Sequence, residues 1–341
     1  MIRLGGRPEL RVGWATPSTL TAERATFRGL ETSVAMRVAN VARWLNANTR
    51  LRNELYRPER RYDVVVFAKA MGERAQAAAE RVRATGGRVV FDANVNYYEI
   101  WGDYDVPRTK PTTEQQRDAE AMTRGADAVV ADSSYILGIV RRYNERATWI
   151  PDNVDLRIFR PRPPHEGRVL RLVWSGRSQK ARPLTLLREP LTGARGVELV
   201  VVSDAPPPEL DELAEVVPVR FEPFSLRGYA RVLRSCDAIV SPKRLVNGYE
   251  LGHSEWKITL GMAAGLPAVA SPQQSYVEAI AAHGAGMVAE SPEEWRAAVE
   301  RLRDPRLRAE LGARARQTVE ELYSTPVIAC RYGHFLREVA G

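Results

Sequence analysis

Short apolar runs alternate with helical periodicity along nearly the whole chain, and this alternation sets narrow limits on what it can fold into. Extended runs occur at LRVGWA (10–15), YDVVVFA (62–68), RVVFDA (88–93) and DAVVA (127–131). Four more follow at RVLRLVW (168–174), VELVVVS (197–203), DAIVS (237–241) and PAVAS (267–271). Apolar residues at helical spacing fill the gaps, at 31–48, 72–85, 113–124, 134–143, 225–234 and 254–264. Short apolar strands separated by helices belong to parallel sheets covered on both faces. The expected fold class is therefore α/β. At 341 residues the chain exceeds one ordinary core and suits two domains.

The halves echo each other. Arg124-Gly-Ala-Asp127-Ala-Val-Val is matched by Arg234-Ser-Cys-Asp237-Ala-Ile-Val, each closing a helix and opening a buried strand. Convergence could give so short a match. With the strand count it favours two Rossmann-like domains over one large sheet. A proline-rich polar stretch, IPDNVDLRIFRPRPPHEGRV (150–169), reads as the linker. The expected domains are 1–155 and 156–325, followed by a tail helix at 326–341 that could pack back on the first domain. Ligands of open parallel sheets bind beyond the carboxyl ends of the strands, so the cleft between the domains is the natural site.

Several function classes recede on composition. No run of eighteen apolar residues occurs, and the N-terminus lacks the apolar core of a secretory signal. Two cysteines, Cys236 and Cys330, cannot staple a chain of this size and read as free thiols. These features point to the cytoplasm. The net charge of +8 admits phosphorylated ligands, nucleic acid or an anionic membrane surface. The arginines interleave with glutamates as on solvated helix faces, and no zinc-finger spacing or aromatic nucleic-acid motif occurs, so no nucleic-acid partner is expected. The stripe Val34, Val38, Val41 and Leu45, with Arg37 and Arg43 off it, could lie at a membrane surface or pack on its own sheet.

The most informative stretch is SEWKITLGMAAGLPAVAS (254–271). Ser254 reads as a helix cap, Gly265 as the stop, and Pro267 blocks continuation. Lys257 then falls in the first helical turn, where the backbone dipole disfavours a cation by about 0.3–1 kcal/mol. An anion shared by the helix N-terminus and the lysine would remove that conflict. A solvated lysine paired with Glu250 or Glu255 is the alternative. In WSGRSQKA, Gly176, Arg177 and Lys180 follow the first strand of the second domain and would emerge at its carboxyl end. A polar loop is the bland alternative there.

These motifs, taken in order with ADAVVADSSY and WIPDNVDLRIFRP, resemble retaining glycosyltransferases of the GT-B fold over residues 126 to about 323. The resemblance implies two Rossmann-like domains facing across a cleft, a nucleotide-sugar donor on the second and a hydroxyl acceptor on the first. It implies that Lys257 and Arg177, with Lys180 and the turn at Ser254, grip the donor diphosphate. It also places Tyr276 and Glu278 beside the donor sugar. The family's two glutamates, eight positions apart, would fall at Gly252 and Leu260 and are absent, with Glu250 and His253 near enough to substitute.

The family's first-domain histidine is absent too, because His165, His253, His283 and His334 all lie at or after the linker. In FDANVNYYEIWGDYD, Asp92, Asn94, Asn96, Tyr97 and Tyr98 offer carboxylate, amide and ring groups suited to hydroxylated acceptors, with Trp14 and Thr16 as further candidates. Helix capping and core packing are the competing roles. Asp92 is the candidate general base, and its use would invert rather than retain configuration. No metal-binding cluster stands out, so neither metal nor cofactor is expected, and the sequence does not set the oligomeric state. A nucleotide-sugar epimerase and a silent nucleotide-sugar-binding protein are the rival readings.

Overall fold

The computed structural model describes residues 9–21, 26, 27, 30, 34–161, 167 and 169–341. His165 lies outside them. The first lobe is a six-stranded parallel sheet of β1 (Leu10–Ala15), β2 (Leu51–Leu55), β3 (Val64–Ala68), β4 (Arg88–Ala93), β5 (Ala128–Ala131) and β6 (Ala147–Trp149). Its order is β2-β1-β3-β4-β5-β6. The second sheet holds β7 (Leu170–Ser175), β8 (Val197–Ser203), β9 (Val219–Pro223), β10 (Ala238–Ser241), β11 (Ala268–Ala270) and β12 (Gly286–Val288), in the order β12-β11-β10-β7-β8-β9. Helices cover both faces, so β3 and most of β8 are buried throughout.

Each sheet reverses its winding once, between β1 and β3 in the first and between β7 and β10 in the second. Neighbouring connections leave the sheet in opposite directions at such points, opening a crevice beyond the strands' carboxyl ends. The sequence echo has a matching structural basis in the two lobes. Asp127 and Asp237 each precede a strand and accept a hydrogen bond from the start of the neighbouring strand. The donors are Val89 N and Arg171 N, each at 2.8 Å.

The last helix, Thr325–Ala340, crosses back to the first lobe. Ile328, Ala329, Tyr332 and Leu336 pack with Val12, Trp14, Val38 and Leu45 in one core. The apolar stripe of Val34, Val38, Val41 and Leu45 is thus covered by protein. Arg37, read from the sequence as lying off that stripe, is 2% exposed. It sits in a π-helical turn, Ala35–Ala39, that leads into the helix Asn40–Asn48. No helix among the described residues is long and apolar enough to cross a membrane.

Arg37 organises the lobe junction. Its Nε donates to Asp92 Oδ2 at 2.8 Å and its Nη2 to Asp92 Oδ1 at 2.9 Å. Its Nη1 reaches Asp152 Oδ1 at 3.0 Å and its Nη2 the Ile150 carbonyl at 3.0 Å. Tyr332 on the last helix donates to Asp92 Oδ2 at 2.9 Å, and Ser254 in the second lobe donates to Asp152 Oδ2 at 2.8 Å. Removing one member of a buried ion pair strands its partner's charge and costs about 3–5 kcal/mol. Arg37→Ala should therefore lower unfolding stability by about that amount in urea titrations, and an unchanged midpoint would refute this account of the junction.

Candidate active site

Two adjoining cavities meet at the cleft, the larger within the second lobe and the smaller between the lobes. The larger, about 400 Å³, opens beyond β7 and β10 and is lined by Arg177, Lys180, Lys243, Glu250, His253 and Lys257 together with apolar residues. The smaller, about 220 Å³, is lined on the first-lobe side by Arg37, Lys69, Asn94, Asn96, Asp132 and Asp152. Lys180, His253, Trp256 and Lys257 line both, so they mark where the two spaces meet.

Strand ends at the switch point deliver the basic groups. Arg177 follows β7 by two residues, and Lys243 follows β10 by two. Gly176 allows the approach: a Cβ there would lie 2.5 Å from the Trp174 ring and 3.2 Å from Lys257 Nζ. The helix carrying Lys257 begins at Trp256, with Glu255 in the capping position and no side-chain cap bond. Ser254 is therefore not the cap; its hydroxyl is turned to Asp152 in the linker. Lys257 still occupies the first turn, and Gly265 stops the chain beyond it at φ +79°.

Lys243 was not read from the sequence. It is 7% exposed and paired with Glu250 at 2.8 Å. Burial works against its charge, but the Glu250 carboxylate raises its pKa above the usual lysine value. Although burial opposes ionisation of Glu250, Lys243 and neighbouring cations hold it at about 2. Lys180 bonds the Tyr249 hydroxyl and is pushed below its usual value by burial and by Lys243. Lys257, 5.3 Å from the Trp174 ring centroid, is lowered to about 7 by burial and by Lys243 and Lys180, against the pull of Glu250. No carboxylate of the described residues is in ion-pair contact with Lys257 or Arg177. The wall thus carries more positive charge than its one buried acid offsets.

His253 packs edge-on to Tyr249, with ring centroids 4.4 Å apart. Burial and the surrounding lysines hold its pKa well below the usual value, and its Nδ1 has no hydrogen-bond partner. It therefore faces the meeting point of the cavities as a neutral imidazole. Gly252, where the family's first glutamate would fall, lies against the other lobe: a Cβ would stand 2.7 Å from Asn96 Cβ. Leu260, at the second position, presents an apolar side chain to the larger cavity.

Several sequence candidates have other work. Asp92 is fully buried between Arg37 and Tyr332, which leaves no open face for a general base. Trp14 is in the core, its Nε1 bonded to Asn53, and Thr16 is bonded to Thr19 in the first short helix. Tyr98 is buried against Thr123 and Tyr143. None of these four can touch an acceptor. Tyr97 packs on the same core, and Asn96 donates to the Gly248 carbonyl across the cleft at 2.9 Å. Tyr276 lines the smaller cavity, while Glu278 accepts from Ser134 of the first lobe and lies outside both linings. Lys69 lines the smaller cavity from the end of β3 in a left-handed conformation, φ +55°, which is uncommon for lysine.

Residues 171–304 match the family described as glycosyl transferases group 1. No curated protein sequence matches the chain. Among solved structures, HepE of Anabaena, in complex with UDP and glucose, superposes with a TM-score of 0.68 at 12% identity, over 97% of this chain and 100% of that one. Sucrose-phosphate synthase of Thermosynechococcus elongatus gives 0.62 at 16%, over 82% and 74%. TarM of S. aureus, in a complex containing UDP, gives 0.59 at 13%, over 80% of this chain and 55% of TarM, so the chain spans about half of that protein.

Two parallel α/β lobes facing across a cleft define the GT-B architecture, and this chain has it. The stretch that matches the glycosyl transferases group 1 family, residues 171–304, lies in its second lobe.

The lowered pKa of Lys257 has a measurable consequence. Its ammonium is the form that attracts an anion, and that form falls to half near pH 7 and is lost as the pH rises further. A nucleoside-diphosphate sugar keeps a constant charge through this range. Its affinity should therefore weaken as pH rises from 6 to 9 in calorimetric titrations, and Lys257→Arg, which stays charged, should flatten the profile. A flat wild-type profile would exclude titration of Lys257 from binding.

Proposed function

We propose that this enzyme moves a sugar from a nucleoside-diphosphate donor held by the second lobe to a hydroxyl presented by the first, with retention of anomeric configuration. The observation that carries the reading is the convergence of Arg177, Lys180, Lys243 and Lys257 on one cavity beyond β7 and β10. A diphosphate gains charge as the bond to the sugar breaks, and fixed cations in a partly dry site favour that state over the ground state. The apolar half of the cavity, with Trp174, Pro183, Phe224 and Tyr229, offers surfaces for a nucleobase. HepE and TarM are both seen with UDP, which makes uridine the base to test first.

In this reading the C1–oxygen bond to the diphosphate breaks while the acceptor oxygen bonds C1 from the same face. The acceptor's proton passes to the departing phosphate oxygen. Arg177 and Lys257 neutralise that phosphate, and Glu250 keeps Lys243 charged and fixed. Neutral His253 at the cavity junction is placed to hydrogen-bond the transferred sugar. A protein nucleophile has no part in the scheme, nor does a metal ion.

Thermal-shift titration with nucleoside diphosphates and their sugars, followed by product analysis, tests the proposal. A ligand at a hundred times its dissociation constant stabilises by about 2.7 kcal/mol. A glycoside whose anomeric configuration matches the donor supports the proposal; an isomerised donor, or binding without turnover, overturns it. Lys257→Ala should reduce turnover by about 100-fold or more with the fold intact. Unchanged turnover would remove Lys257 from the mechanism.

A further inference from the structure

The smaller cavity has an unusual lining. Asp132 is 4% exposed, yet its Oδ1 has no hydrogen-bond partner among the described residues, and neither has Asn94 Oδ1. Buried polar atoms are nearly always satisfied, so two such oxygens in one cavity call for a ligand that donates. They sit side by side for a topological reason. In the β4–β5 pair, Asp92 is opposite Val130 and Ala93 opposite Ala131. Asn94 and Asp132 are the next residues on adjacent strands, about 4.8 Å apart by strand spacing. Asp132 N donates to the Ala93 carbonyl at 3.3 Å, which carries the pairing to the strand ends.

We propose that Asp132 and Asn94 seat the acceptor, and that the acceptor enters as a neutral polyol offering two adjacent hydroxyls. This inference rests on the transferase reading and names the substrate class of its first-lobe site. Hydroxyls donate hydrogen bonds to both oxygens at once. A cationic amine would meet Arg37, Lys69, Lys180 and Lys257 around the same space, and an anionic ligand would meet Asp152 beside the Asp132 carboxyl, which burial and the neighbouring Asp152 and Asp92 push well above the usual carboxylate range. In a partly dry cavity either mismatch is costly, so an uncharged ligand fits best. A volume of about 220 Å³ equals roughly seven waters at about 30 Å³ each, enough for one ring or short polyol. The junction residues Lys180, His253, Trp256 and Lys257 then separate this seat from the donor cavity. Asp132 is a recognition residue in this scheme: it holds a hydroxyl and fixes the ring, while the proton of the reacting hydroxyl leaves with the diphosphate.

The test uses the full chain with and without saturating UDP. Dissociation constants are measured for glucose and myo-inositol as neutral probes, glucosamine as the cation and glucose 6-phosphate as the anion. The proposal expects a neutral probe to bind more tightly than both charged ones. Asp132→Ala should then weaken that probe at least tenfold and change UDP affinity less than twofold. Asp132→Asn keeps the shape and replaces one carboxyl oxygen with an amide nitrogen; with Asn94→Ala it serves if the alanine variant does not fold, and both should weaken the neutral probe. Preference for glucosamine or glucose 6-phosphate, absence of binding by either neutral probe, or unchanged affinity in the Asp132 variants overturns the proposal. Neutral-probe binding lost in those variants while UDP fails to bind wild-type protein would support the seat and sink the donor reading instead.

Discussion

One buried guanidinium holds the architecture around the cleft. Arg37 reaches strand β4 through Asp92 and the interlobe linker through Asp152 and the Ile150 carbonyl. Its two acidic partners each take a further hydrogen bond, one from the last helix at Tyr332 and one from the second lobe at Ser254. Four segments distant in sequence therefore share one electrostatic centre. A planar fork with five donors can serve the four acceptor oxygens that Arg37 meets, on Asp92, Asp152 and Ile150, where lysine has three donors. The surrounding ties between lobes include Asn96 to the Gly248 carbonyl, Ser133 to the Gly252 carbonyl and Asn247 to the Asp103 carbonyl. These are short polar contacts between strand-end loops, while the apolar cores lie mostly within each lobe.

Charge is distributed asymmetrically across the cleft. The second-lobe wall gathers Arg177, Lys180, Lys243 and Lys257 with Glu250 paired to Lys243 alone. The first-lobe wall mixes Arg37 and Lys69 with Asp132 and Asp152. Such a surface suits an anion on the second-lobe side and, as proposed above, an uncharged, hydroxyl-rich molecule on the other. Burial first, and then repulsion by Lys243, Lys180 and Lys257 against the pull of Glu250, keep His253 neutral.

The central strands were legible in the sequence because burial on both faces makes them continuous apolar runs. The four strands that escaped notice, β2, β6, β9 and β12, are the edges of the two sheets. An edge strand has one neighbour and one exposed flank, so LRNEL and VRFEP carry polar residues and break the pattern. The site divides in the same way. Arg177, Lys180 and Lys257 stood in recognisable loops, whereas Lys243 and Lys69 gain meaning only from strand order, which puts the ends of β10 and β3 at switch points. Asp92 was misjudged because an acidic residue at the end of a strand reads alike whether it faces the cleft or, as here, a helix carrying arginine.

The last helix makes the lobes interdependent. It leaves the second lobe at Ser324, beside a bridge to Val154, and completes the core around Trp14 and Leu45. A gene fragment ending in the linker would encode the first sheet without the cover over one of its faces. The complementary fragment would carry that cover with nothing beneath it. Recombining first and second lobes among proteins of this architecture therefore calls for two crossover points, so that the terminal helix travels with the sheet it covers.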